Sequence, residues 1–157
     1  MDTVTALTTI RDSLRTNLQD PYETAGGSAR SAWIFADEPI TSPKFPIIEV
    51  KKADNPSDII SFGCTDYWEQ ELVFMNIWFS CKNGFKVTIS GTEYVNTKLA
   101  EYYLGQIKKT LKAQHTVLHT AGVGGLKAIN TTKVEYDPTT QLYFGAVTMR
   151  VWFFHRD

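Results

Sequence analysis

Gln141-Leu-Tyr-Phe-Gly-Ala-Val-Thr-Met-Arg-Val-Trp-Phe-Phe154 decides how this chain folds. Side chains alternate sides along a strand. One face of this run would carry Tyr143, Val147, Met149, Val151 and Phe153, the other Leu142, Phe144, Ala146, Trp152 and Phe154. Both sets are apolar, and one packed layer covers only one of them. The run follows Lys127–Tyr136, an extended stretch, and the turn Asp137-Pro138-Thr139-Thr140. Two strand-like runs around a Pro-containing turn predict a closing C-terminal β-hairpin.

A second long run behaves in the same way. Residues 67–81 read as one strand whose first part alternates (Trp68, Gln70 and Leu72 against Glu69, Glu71 and Val73) and whose second part is nearly all apolar. That pattern suits a central strand emerging from the core at one end. Phe74, Trp78, Tyr143, Phe144, Trp152 and Phe154 are therefore the candidate core or subunit-interface residues. Residues 33–35, 47–52, 58–63 and 85–89 supply shorter strands, broken by Pro- and Gly-containing turns.

Two amphipathic helices frame the strands. Val4, Leu7, Ile10, Leu14 and Leu18 recur at helical spacing over residues 3–19, behind Asp2 or Thr3 as N-cap. Val95, Leu99, Tyr102, Tyr103, Ile107 and Leu111 make the stripe of a second helix over 93–114, with Thr92 as its N-cap. Residues 20–32, small, polar and glycine-containing, read as a flexible loop. The expectation is one α+β domain spanning 1–157. Its mainly antiparallel sheet has four to five strands, with two helices packed on one face.

Length and composition agree. A chain of 157 residues buries roughly 70% of its unfolded surface, enough for a core without a metal or staple. Sixteen basic against seventeen acidic residues leave a net charge of −1, unlike a dedicated nucleic-acid binder. No stretch reaches bilayer-spanning length and the first ten residues lack a signal-peptide pattern, so a soluble, intracellular protein is expected. Cys64 and Cys81 are the only cysteines, and reduced thiols are expected.

No motif demands catalysis, a cofactor or a metal. His115 and His119 stand four apart, but Thr116 occupies the place of the metalloprotease glutamate. Gln114–Thr120 is rich in Thr and Val, which favour extension. Gly122-Val-Gly-Gly125 lacks the strand before and helix after that a dinucleotide loop needs, and reads as a flexible turn. Glu69 and Glu71 point to one side of a strand near Asp66, which acid/base work or a solvated strand end explains equally well. Lys98, Lys108, Lys109 and Lys112 make one face of the second helix basic, a candidate channel or partner surface.

The element order resembles the tail terminator, or tail-completion, proteins of long-tailed phages and archaeal tailed viruses. The resemblance rests on the helix over 3–19, Pro43-Lys-Phe-Pro-Ile-Ile-Glu-Val50 entering a strand, and the apolar strand 67–81. It continues with the Gly91-Thr92 helix start and the hairpin from Val134-Glu-Tyr-Asp-Pro138 to Leu142–Phe153. It implies a homo-oligomeric ring, commonly of six copies, that caps the tail tube and joins tail to head at the neck. Partners would be the tail tube protein and neck or head-completion proteins, with genomic DNA passing through the lumen. The setting would be the virion's tail–neck junction, reached by assembly in the host cytoplasm, without catalysis, cofactor or membrane. Three other readings compete. They are another neck or tail component (a head-closure or tail-tube protein), a small α+β enzyme using His115, His119, Glu69 and Glu71, and a ligand-binding module lined by Trp33, Trp68, Trp78 and Trp152.

Overall fold

Asp2 starts the first helix: its Oδ1 accepts from the Thr5 amide at 2.7 Å. In the computed structural model, which describes residues 1–37, 39, 43–53, 58–62 and 68–156 (58–62, 68–70 and 154–156 by backbone alone), the order begins α1 (Thr3–Asn17), α2 (Pro21–Thr24), β1 (Ile34–Ala36), β2 (Ile47–Lys52) and β3 (Asp58–Phe62). It continues β4 (Trp68–Lys82), β5 (Lys86–Ile89), β6 (Thr92–Val95), α3 (Asn96–Ala113) and α4 (His115–Thr120). It ends β7 (Val123–Thr131), β8 (Glu135–Asp137) and β9 (Leu142–Arg156). Cys64 and Asp66 lie outside the described residues, as do the side chains of Trp68, Glu69 and Phe154.

The frame is the antiparallel pair β4–β9, in register from Trp68–Arg156 to Lys82–Leu142. Short strands line both outer edges of that pair. β2 and β3 follow one another along β4, and β7 and β8 along β9. The main path is β1-β2-β4-β9-β7, with only β1–β2 parallel, and the sheet does not close. This is the α+β, mainly antiparallel architecture predicted from the chain.

The two faces differ as the alternation of β9 requires. Val73, Met75, Ile77, Phe79 and Cys81 of β4 and Val147, Met149, Val151 and Phe153 of β9 are buried in one core cluster. That cluster includes Leu7, Ile10 and Leu14 of α1 and Leu99, Leu104, Ile107 and Leu111 of α3. Tyr103 lies parallel on Phe79, centroids 4.9 Å apart, and its hydroxyl donates to the Gln19 carbonyl at 3.0 Å. Gly145, opposite Phe79, gives Leu104 room, since a Cβ there would stand 2.8 Å from Leu104 Cδ1. Both long helices thus cover one face.

Five local expectations are corrected. The second helix begins at Asn96, not residue 93, and Thr92 is not its N-cap. Ser90 and Gly91 turn with positive φ, so Thr92–Val95 folds back on β5 as a two-stranded ribbon apart from the main sheet. Val95 takes the N-cap position with no side-chain cap bond. Residues 115–120 are helical: Leu118 is buried under the turn, and this anchor outweighs the extension preference of Thr and Val. The first hairpin run is not continuous over 127–136, because it breaks into β7 and β8 around Thr132. There the Thr132 hydroxyl accepts from the Ala146 amide at 2.9 Å while its amide donates to the Ala146 carbonyl at 2.9 Å. Val123 to Gly125, expected as a turn, already belongs to β7. Within 20–32, α2 forms one turn behind Asp20, whose Oδ1 accepts from the Tyr22 amide at 2.9 Å.

Candidate functional site

The second face of the sheet is the first candidate surface. Cross-strand pairs share a face, and those between the core pairs are Leu72–Trp152, Phe74–Arg150, Asn76–Thr148, Trp78–Ala146 and Ser80–Phe144. Leu72, Phe74, Trp78, Phe144 and Trp152 are half-buried and lie outside the core cluster. Among the described residues no helix packs on this face. Trp78 and Phe144 meet at 6.1 Å between centroids. Trp152 packs against Gly125, where a Cβ would fall 2.1 Å from the indole ring. Thr148 Oγ1 bonds Asn76 Oδ1 at 2.8 Å, and Lys51 pairs with Glu49 at 3.0 Å. Tyr143, named with these residues from sequence, sits on the helix-covered side against the core and beside Tyr136 at 4.6 Å.

At one end of this face Trp78, Leu142 and Phe144 floor a shallow cavity of about 250 Å³, with Glu49, Lys51 and Asp137 on its wall. Glu135 is exposed and stands opposite Phe144 in the β8–β9 register. The Asp137 carboxyl is held below its ordinary value, chiefly by the Thr139 amide and then the Thr140 hydroxyl, both at 2.9 Å. It therefore carries a negative charge through the neutral range.

The lysines divide. Lys98 lies over the Tyr94 ring at 5.2 Å, near the start of α3, and Lys109 is exposed on its solvent side. Lys108 and Lys112, one helical turn apart, join Lys127 of β7 and His115 of α4 around a groove of about 580 Å³ floored by Leu126, Ala128 and Met149. No carboxylate lines it, and none of its three lysines has an ion pair among the described residues. Three elements build this groove, which the four helix lysines alone did not disclose.

The other chemical candidates are dispersed. His115 and His119 are both exposed on α4. Glu71 Oε1 accepts from Thr3 Oγ1 at 3.3 Å, tying the start of α1 to β4. Cys81 is buried, and desolvation pushes its thiol up to about 12. Trp33 packs on the helix side, edge-on to Tyr103 at 6.1 Å, whereas Trp78 and Trp152 occupy the opposite face. A pocket shared by these tryptophans is therefore not assembled.

One polar centre escaped the sequence reading. Asp20, 7% exposed, accepts from Arg30 Nε at 2.8 Å and Nη2 at 2.5 Å. Arg30 also donates to the Pro46 carbonyl at 2.7 Å and the Lys44 carbonyl, and lies over the rings of Tyr22 and Trp33. Asp20 directly before Pro21 is a helix-start signal; its pairing with a residue ten positions on is not legible in sequence. Every donor and acceptor here is satisfied within the chain, so the centre is a clamp on 20–46.

No protein-family model matches the chain, and no curated protein matches it. Among solved structures, a chain from the virion of a native gene transfer agent particle is similar, at 11% identity and a TM-score of 0.41. The match covers 99% of this chain and 100% of that one. No helix among the described residues is long and apolar enough to cross a membrane.

Proposed function

We propose that this chain is a structural virion protein that associates with its own copies into a ring, with tail termination as its role. One domain spans 1–157, and its ring, of six copies, caps the tail tube and meets neck proteins. The observation that carries this is the second face of the sheet: half-buried Phe74, Trp78, Phe144 and Trp152 stand outside the core, with no described helix over them. Aromatic side chains arranged so are the usual anchors of subunit contacts. The resemblance of element order to tail terminators gives that contact its role. A near-zero net charge also suits a ring through which DNA must move without being held.

Size-exclusion chromatography with light scattering tests the self-association. The expected mass is several times the 17.7 kDa of one chain. A particle that stays at one chain's mass at high concentration overturns the proposal. Electron micrographs of the assembled particle test the role, with a closed ring at the end of a tail tube as the expected image.

A further inference from the structure

The two surfaces described above are complementary in chemistry and cannot meet within one molecule. The groove between α3, the start of α4 and β7 is apolar at its floor, carries Lys108, Lys112 and Lys127, and has no acid among the described residues of its lining. Its floor lies on the helix-covered side, since Ala128 pairs with Met149 and Leu126 with Val151, both core positions of β9, while Lys127, paired with Arg150, borders it from the edge strand. The cavity at Trp78 and Phe144 is also apolar at its floor and lies on the opposite face. Around it stand Glu49, Asp137 and, opposite Phe144, the exposed Glu135, against Lys51 and, opposite Leu142, the exposed Lys82. The groove thus carries three lysines with no carboxylate among the described residues of its lining, and the cavity is surrounded by three carboxylates against two cations.

We propose that the lysine groove of one copy receives the acid-rimmed aromatic edge of a second copy. This rests on the self-association reading and names the surfaces that make the contact. Burial of Trp78 and Phe144 against Leu126 and Met149 supplies the apolar part of the contact. The charges set its register, since opposed charges steer a contact and like charges suppress wrong ones. Because the two patches differ, the contact is head-to-tail, which closes into a ring when the rotation per copy closes. Among the described residues these lysines have no ion pair, so their charge is available to a neighbour.

The experiment is a charge swap on two exposed side chains, Lys112→Glu and Glu135→Lys, read by light scattering at matched concentrations. Each variant alone is expected to weaken association by about tenfold or more, with an unchanged circular dichroism spectrum. An equimolar mixture is expected to recover wild-type association, because each reversed patch then meets its complement. Raising salt from about 50 mM to about 500 mM is expected to weaken the wild type and shrink the difference between variants. A wild type that never associates overturns both this assignment and the ring. A wild type that associates while both variants match it overturns only the assignment, leaving the ring standing. So does loss in both variants with no recovery on mixing.

Discussion

Gly125 and Cys81 show how single positions are committed to their neighbours. A Cβ at Gly125 would fall within 2.1 to 2.8 Å of three atoms of the Trp152 indole. A rigid ring on a sheet cannot slip aside as a flexible side chain can. Gly125→Ala should therefore lower stability by about 1–3 kcal/mol by urea titration. Gly145→Ala, which meets the movable Leu104 Cδ1 and nothing else closer than 3.5 Å, should cost less. If the Trp152 ring is the cause, Gly125→Ala should cost little more in a Trp152→Ala background. For Cys81, burial raises the folded thiol from its ordinary 9.0 to about 12. The unfolded chain then releases this proton first, so stability falls as pH rises through the window from 9.0 to about 12. Tyr103, raised mainly by burial, acts in the same direction at higher pH. Urea midpoints measured across alkaline pH should decline, and Cys81→Ala should flatten the lower part of that decline. An unchanged slope in the variant rules Cys81 out as a source.

Elements with a long apolar period were legible, and those set by one turn or one distant partner were not. The two alternating residue sets of β4 and β9 could be read residue by residue from the two-residue period, but not which set meets the helices, because both are apolar. The start of α3 could not. Glu93 and Val95 fit helical spacing, yet the Ser90-Gly91 turn makes Thr92–Val95 a strand and leaves Asn96 to begin the helix at φ +53°. Asparagine suits that left-handed position, and its Oδ1 accepts from the Gly84 amide at 2.8 Å, joining two turns. Asn96→Val should therefore destabilise by about 1–3 kcal/mol in thermal or urea unfolding. Asn96→Gly, which keeps the backbone and loses the acceptor, should destabilise less. Equal effects would mean that the side-chain bond, not the backbone, matters at this position. The lysine groove was half legible for a related reason. Lys108 and Lys112 are one turn apart on one helix, whereas His115 and Lys127 reach it from other elements.

For the molecule as a whole, the consequence of two apolar faces is that one substitution type has opposite outcomes on each. Phe153 is 0% exposed in the core under the helices, and Phe144 is half-buried on the open face beside Trp78. A carboxylate placed at Phe153 would be buried without a partner, at a cost of several kcal/mol. That is a large part of the roughly 5–15 kcal/mol by which a domain is stable. Phe153→Asp should therefore abolish the folded state, seen as loss of the cooperative melt. At Phe144 the same carboxylate can reach water, so Phe144→Asp should keep a cooperative melt and a native circular dichroism spectrum. What it should lose is mass in light scattering, together with the rise of melting temperature with protein concentration that self-association gives the wild type. A Phe144→Asp protein that is folded and still associates as the wild type does would remove the open face from the assembly. A wild type whose melting temperature ignores concentration would remove the assembly itself.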